Sequence, residues 1–102
     1  MTNAEALARF VTEAQAMIAE QFAVRYPRNP VPTLEVVMGR RYAKVTQRHG
    51  SGRQVYCFVD MTNGDILKAK SWKAPAKDAR GNVHTYGKVS DCVTMFGVHY
   101  VR

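Results

Sequence analysis

Residues 54–69, Q-V-Y-C-F-V-D-M-T-N-G-D-I-L-K-A, carry the strongest local signals for the fold. Residues 54–60 are rich in β-branched and aromatic side chains, which favour a strand. The Asn63-Gly64 pair that follows is a strong short signal for a hairpin turn, and residues 65–69 predict the returning strand. An antiparallel hairpin is therefore the first expected element.

Two further strands are expected before this hairpin. Residues 33–38 (T-L-E-V-V-M) are β-rich, and Gly39 breaks or bulges the run. Residues 41–47 resume the extended pattern, and the loop 48–53, with two glycines, is typical of a mobile hairpin tip.

An amphipathic helix is expected over residues 3–25. Thr2 and Glu5 form the T-x-x-E pattern of a capping box. Apolar residues then recur at helical spacing along one stripe: Leu7, Phe10, Val11, Ala14, Met17, Ile18 and Phe22. The proline-rich connector 26–32 ends the helix and is too short to separate two domains.

The C-terminal part is less regular. Pro75 fits the first turn of a short helix that runs through Lys77 and Ala79, with Gly81 at its end. Residues 82–91 are expected to be a loop, and residues 92–101 a final strand with a kink or bulge at Gly97.

These elements predict a single α+β domain over residues 1–102. One long N-terminal amphipathic helix packs on an antiparallel sheet of four to five strands, and residues 33–102 form its basic, β-rich part. A small curled barrel with a helix on one side is the alternative. The edge of the last strand offers a site for self-association into a homo-oligomer.

The charge distribution indicates acidic partners. The formal net charge is +7, and 14 of the 15 lysines and arginines follow residue 24. Such a field favours nucleic acid or an acidic protein surface. No apolar run approaches the ~20 residues of a membrane span, and the N-terminus lacks a cationic signal region. We therefore expect a cytosolic protein without a membrane partner.

Catalytic and metal-binding patterns are weak. Cys57 and Cys92 are expected to be reduced and apolar in role, although a disulfide between them is the alternative. The histidines and cysteines lack the close spacing of zinc ligands. Asp60 and Asp65 flank a turn, where such residues commonly serve turn geometry. We expect no cofactor, no metal and no enzyme activity; a small enzyme that uses these acids or a histidine ranks below a binding protein.

Residues 68–81 (K-A-K-S-W-K-A-P-A-K-D-A-R-G) predict a binding surface, because cations surround the single tryptophan and Asp78 is the only acid. In this interpretation Trp72 stacks on a base while the basic residues contact phosphates. The predicted contacts of this basic segment are Trp72, Lys73, Lys77, Arg80, Lys68 and Lys70. The alternative is that Trp72 fills the edge of the core and the lysines are solvated.

A second basic group lies on the first hairpin, with Arg40, Arg41 and Lys44 as secondary contacts. Strand alternation favours Cys57 and Val59 on the face toward the helix. Tyr56 and Phe58 would then point away from the helix, beside Tyr42 and Lys44, and Tyr56 becomes a candidate nucleic-acid contact. The alternative places Tyr56 and Phe58 in the core.

Several segments resemble a set of small phage-encoded proteins of unassigned function. They are C-F-V-D (57–60), T-N-G-D-I-L-K-A (62–69), S-W-K-A-P-A-K (71–77), R-G-N (80–82) and the ending F-G-V-H-Y-V-R (96–102). The resemblance covers about half the chain. It implies a bacterial virus as the source and the host bacterial cytoplasm as the location, and it brings no established activity.

The sequence thus predicts a small basic phage protein that binds nucleic acid without catalysis, with single-stranded DNA or RNA favoured. The alternative is a protein–protein inhibitor or adaptor that targets an acidic surface of a host enzyme or defence complex. A minor virion component is also compatible with the predicted fold.

Overall fold

The computed structural model describes residues 1–98, which contain one α-helix and a five-stranded antiparallel sheet. The strands follow one another in the sheet in chain order, so each pairs with the next. The elements are α1 (Asn3–Arg25), β1 (Thr33–Met38), β2 (Tyr42–His49), β3 (Gly52–Asp60), β4 (Asp65–Ala69), β5 (Pro75–Asn82), a 3-10 turn (Val89–Asp91), and the short hairpin β6 (Val93–Thr94) and β7 (Gly97–Val98). The predicted α+β architecture of a long helix on an antiparallel sheet is confirmed.

The start of α1 is fixed by the predicted capping box. The backbone N–H of Glu5 donates to the Thr2 hydroxyl at 3.1 Å, and the Thr2 N–H donates to the Glu5 carboxylate at 2.9 Å. These bonds satisfy donors that a helix start leaves open. The side chains that α1 buries are Ala6, Leu7, Phe10, Ala14, Ile18 and Phe22.

One face of the sheet is covered by α1 and the β6–β7 hairpin together. The core joins the buried side of α1 to Ala43, Val45, Cys57, Val59 and Ile66 of β2 to β4, and to Val93, Met95 and Val98. The Gln47 side chain donates to the Met95 carbonyl at 2.8 Å and ties the hairpin to β2. We call this side the covered face and the opposite side the open face.

A β-bulge at Tyr56 corrects one sequence prediction. Val45 pairs with Cys57 and Thr46 pairs with Val55, so Tyr56 is an extra residue on β3. The bulge interrupts strict alternation, and the Tyr56 ring enters the core with 2% exposure. Its hydroxyl donates to the Thr94 carbonyl at 2.5 Å, and burial raises its pKa. The prediction that Tyr56 points away from the helix was wrong.

The segment from Pro75 onward is a strand, so the predicted short helix was also wrong. Pro75 lies opposite Ala69 and Ala79 opposite Leu67, with register irregularities between them. Pairing with β4 prevails over the local helix signal, because proline also fits the first residue of an edge strand. Gly81 allows a close approach: a Cβ there would lie 2.5 Å from the Cys92 sulfur.

The predicted final strand is only partly formed. Residues 93–94 and 97–98 make a tight two-stranded hairpin, and Gly97 begins its second strand with φ of 139°. The remainder of that prediction, residues 99–101, lies outside the described residues.

Both cysteines are buried and free. Burial raises the pKa of the Cys57 thiol, and also that of Cys92, so both favour the neutral form. In the described part of the chain, no helix is long and apolar enough to cross a bilayer.

Candidate nucleic-acid interface

The open face carries its own aromatic cluster. Lys44 on β2 pairs with Phe58 on β3, and Phe58 pairs with Leu67 on β4. Phe58 and Leu67 are 3% and 6% exposed, yet neither belongs to the core under α1. The Tyr42 ring meets the Phe58 ring edge-on, with centroids 6.3 Å apart. The strands thus bury apolar side chains on a face that lies opposite α1 and the β6–β7 hairpin and that no other element of residues 1–98 covers.

The loop between β4 and β5 carries Trp72 toward this cluster. The N–H groups of Lys70 and Ser71 both donate to the Ala74 carbonyl, at 2.9 and 3.1 Å, and close a tight turn. The Ser71 hydroxyl accepts from the Lys73 N–H at 3.3 Å. Trp72 at the tip remains 45% exposed. Trp72 is therefore not a buried core residue, and the alternative in which it fills the edge of the core stays open.

Lys44 occupies the centre of the arrangement. Its ammonium lies 4.4 Å from the centroid of the Trp72 ring and 5.9 Å from that of Phe58. Both distances are within the range of cation–π attraction. The two rings hold a positive charge at a fixed position beside an exposed aromatic surface.

Arg41 is anchored by a buried acid. Its guanidinium donates to the Asp60 carboxylate at 3.0 and 3.2 Å and lies 5.2 Å from the Tyr42 centroid. Asp60 is 4% exposed and also accepts from the Thr62 hydroxyl and N–H, at 2.6 and 2.9 Å. Burial alone would raise the pKa of Asp60. The bonds from Thr62 and Arg41 outweigh burial, so its pKa is lowered. Asp60 therefore neutralises one of the cations on this face.

A groove of about 420 Å³ runs along the open face. Its lining consists of Val37, Met38, Gly39, Arg40, Arg41, Tyr42, Lys44, Phe58 and Lys73. The volume is within the range of small-ligand pockets. Among these lining residues Arg40, Arg41, Lys44 and Lys73 are cationic and none is acidic, so the groove attracts anions.

The structure brings together residues from both predicted basic groups. Arg40, Arg41, Lys44 and Lys73 line the groove, and Trp72 contacts Lys44 beside it. The basic segment and the first hairpin are separated in sequence, but pairing of β2, β3 and β4 makes them neighbours.

Other predicted contacts lie elsewhere. Lys68 lines a different depression, of about 370 Å³, beside the buried Tyr56 and the β6–β7 hairpin. Lys70 is exposed in the turn that precedes Trp72, while Lys77 is exposed and Arg80 half-buried on β5. None of these four lines the groove.

The prediction omitted the apolar wall of the groove. Val37 and Met38 are 50% and 58% exposed at the end of β1. Strand propensity gives no reason to expect exposed apolar side chains there, because it does not say which positions of a strand other elements cover. Phe58 and Tyr42 were placed correctly by alternation but were not named as contacts.

The chemistry of this surface is that of binding. It offers fixed cations for phosphate or carboxylate groups and a ring for stacking. Within residues 1–98, no cluster of three or more histidine, cysteine, aspartate or glutamate side chains is arranged to hold a metal ion.

Comparison with known proteins places the chain in a family of unknown function. Residues 2–97 match the profile of DUF7717, a family of unknown function. No curated protein and no solved structure matches the chain.

Proposed function

The chain belongs to DUF7717, a family of unknown function, and we propose that it binds single-stranded nucleic acid without catalysis. The observation that carries this proposal is the Lys44 ammonium, held 4.4 Å from the half-exposed ring of Trp72 at a cation-lined groove. A phosphate on Lys44 leaves the neighbouring base close to the indole ring.

The exposed ring supports a single strand as the preferred form. Stacking on Trp72 needs a base whose flat face is accessible, and the faces of duplex bases are already stacked. Arg40 and Lys73 extend the cationic lining of the groove around Lys44. Because these contacts use the phosphates and the ring faces, we expect little sequence preference.

The biological setting rests on the sequence resemblance. The likeness to phage-encoded proteins supports a bacterial virus as the source and the host cytoplasm as the compartment. Single-stranded DNA and RNA both occur there, and the groove chemistry favours neither.

Trp72 is the single tryptophan of the chain, so its fluorescence reports directly on this site. We expect oligo(dT) to quench it saturably. Three to four groove cations predict a slope of about −2 to −3 for log affinity against log salt. An abasic oligonucleotide of the same length should bind more weakly and quench less. Absence of saturable quenching and of any mobility shift at low salt would refute the proposal.

One observation favours an acidic protein as the second candidate. Exposed Val37 and Met38 lie beside the cations, and exposed apolar side chains are common at protein interfaces. An inhibitor or adaptor of this kind should bind poly-glutamate at least as well as oligo(dT), whereas stacking requires bases. Capture of a host protein after nuclease treatment, lost in a Met38→Glu variant, would favour this candidate.

A further inference from the structure

The two edges of the sheet differ in how they are protected. β5 begins with Pro75, carries exposed Lys77 and Asp78, and is irregular in register. Proline, charge and bulges are the usual means by which an edge strand avoids pairing with another chain. β1 is regular along its full length opposite β2 and has neither a proline nor a bulge. Its single charge, Glu35, is paired with Arg48 at 3.1 Å.

Two hydrogen bonds show which backbone groups of β1 point outward. The Gly39 N–H donates to the Tyr42 carbonyl at 2.9 Å, so odd-numbered residues of β1 face β2. The Leu34 N–H donates to the Gln15 side chain on α1 at 2.7 Å, so even-numbered residues face away. Residues on an antiparallel strand alternate in this way. No strand within residues 1–98 pairs with the outward side of β1.

Gln15 caps the beginning of this edge. Its amide oxygen accepts from Leu34, and its amide nitrogen donates to the Pro32 carbonyl at 2.9 Å. Beyond the cap, four outward groups follow in order: the Leu34 carbonyl, the Val36 N–H, the Val36 carbonyl and the Met38 N–H. A two-fold axis that passes beside Val36, perpendicular to the sheet, places each of these donors opposite an acceptor of a second copy.

We propose that β1 pairs antiparallel with β1 of a second copy about a two-fold axis at Val36. Each Val36 N–H donates to the Val36 carbonyl of the other copy, and each Met38 N–H donates to the Leu34 carbonyl of the other copy. The same ladder brings the Met38 carbonyl of the other copy to the Leu34 N–H, so each Gln15 oxygen must release Leu34 when the strands pair. The exposed side chains of Val36 (39%) and Met38 (58%) then pack against Val36 and Leu34 of the second copy.

The pairing joins two five-stranded sheets into one of ten strands. Because Val36 lies opposite itself, each residue of β1 lies opposite one on the same face, and both open faces point to the same side. The grooves of the two copies then lie side by side on this common face, with Val37 of each copy between them. The contact is short, so the dimer is expected to be weak. The proposal does not depend on what the groove binds.

Cysteine cross-linking tests the register directly. In a Val36→Cys variant the two Cα atoms would be about 5.5 Å apart, within the range for a disulfide. In Val37→Cys, on the same strand, the equivalent atoms would be about 8 Å apart, which is too far. Cys57 and Cys92 are buried and do not compete. We expect Val36→Cys to form a covalent dimer under mild oxidation, well above Val37→Cys and the exposed control Val24→Cys.

Sedimentation equilibrium tests the dimer without cross-linking. The natural chain should show a rising mass between micromolar and millimolar concentration, and Val36→Lys should remain a monomer because two ammonium groups would meet at the axis. Val24→Lys adds the same charge on α1 and should associate like the natural chain. A natural chain that stays monomeric, together with a Val36→Cys cross-link no stronger than that of Val37→Cys, would overturn the proposal.

Discussion

The two faces of the sheet are built from the same strands but bury their apolar side chains by different means. On the covered face, Val45, Cys57 and Val59 are sealed by α1 and the β6–β7 hairpin. On the open face, Phe58 is 3% exposed although no helix or second sheet within residues 1–98 lies over it. Its covering includes Tyr42 and Lys44, with Trp72 stacked over Lys44. One face is therefore a core, whereas the other is a surface whose cations are held in place by aromatic rings.

The largest expected effect is on the covered face. Phe10 is fully buried and meets the Tyr86 ring edge-on at 5.6 Å. Phe10→Ala should lower the free energy of unfolding by about 3–5 kcal/mol, because it removes the transfer energy of the ring and leaves a cavity. Urea denaturation measures this loss. Phe96→Ala, at a position 55% exposed, is the control and should change stability little. Equal losses in the two variants would contradict the assignment of the core.

Trp72→Ala should have the opposite profile. Trp72 is half-exposed, so stability should change little, whereas loss of stacking should weaken oligonucleotide binding by about 1–3 kcal/mol. Fluorescence anisotropy of a labelled oligo(dT) measures the affinity without the tryptophan signal. Trp72→Phe should recover part of it. If Trp72→Ala unfolds the protein but Phe10→Ala does not, the comparison between the faces fails.

Lys73→Ala should give a smaller effect and separates the groove from the rest of the basic segment. Removing one phosphate contact should weaken binding about fivefold and reduce the salt slope by about 0.7. Lys77→Ala removes an equal charge from β5, outside the groove lining, and should change the slope less. Titrations at several salt concentrations compare the two. Equal changes would indicate a diffuse positive field in place of a defined groove.

Asp60→Asn should show the smallest change in affinity, and in the opposite direction. It releases Arg41 from its acidic partner, so binding should strengthen about twofold. The folded pKa of Asp60 lies below its ordinary value, so its ionisation stabilises the fold above about pH 4. That contribution is lost as the pH falls through the lower folded pKa. Asp60→Asn should therefore be less stable than the natural chain at pH 7, and the difference should shrink in acid, as urea titrations at both pH values would show.

Much of the fold could be predicted from local patterns. The helix bounds, β1 and β4 followed from capping, periodicity and turn residues, because these signals act within a few positions. The β5 prediction failed because Pro75 and Gly81 fit both a short helix and an edge strand. The strand forms because the side of β4 that does not pair with β3 is available to pair with this segment. The predicted orientation of Tyr56 was wrong for a similar reason, since a bulge depends on how two strands align.

The chemistry of the candidate site could be predicted from the sequence, but not which residues share the groove. Two basic groups and one tryptophan are visible in the sequence, and alternation places Phe58 beside Lys44. The separation of Lys73 from Lys68 is not visible, because the two lie on different sides of a sheet whose strand order the sequence does not state. The sequence also does not show that the β5 edge of the sheet is protected and that the β1 edge is open.

The helix, the central hairpin, the excess of positive charge and the residues that bear it can all be read from the amino-acid sequence, because they depend on side-chain chemistry and on neighbours along the chain. Tertiary structure decided which cations share a groove with Trp72, which aromatic ring is buried under α1, and which backbone groups of β1 remain unpaired. Those outcomes depend on contacts between residues far apart in sequence, whose geometry is fixed only when the strands pair and the helix covers one of their two faces.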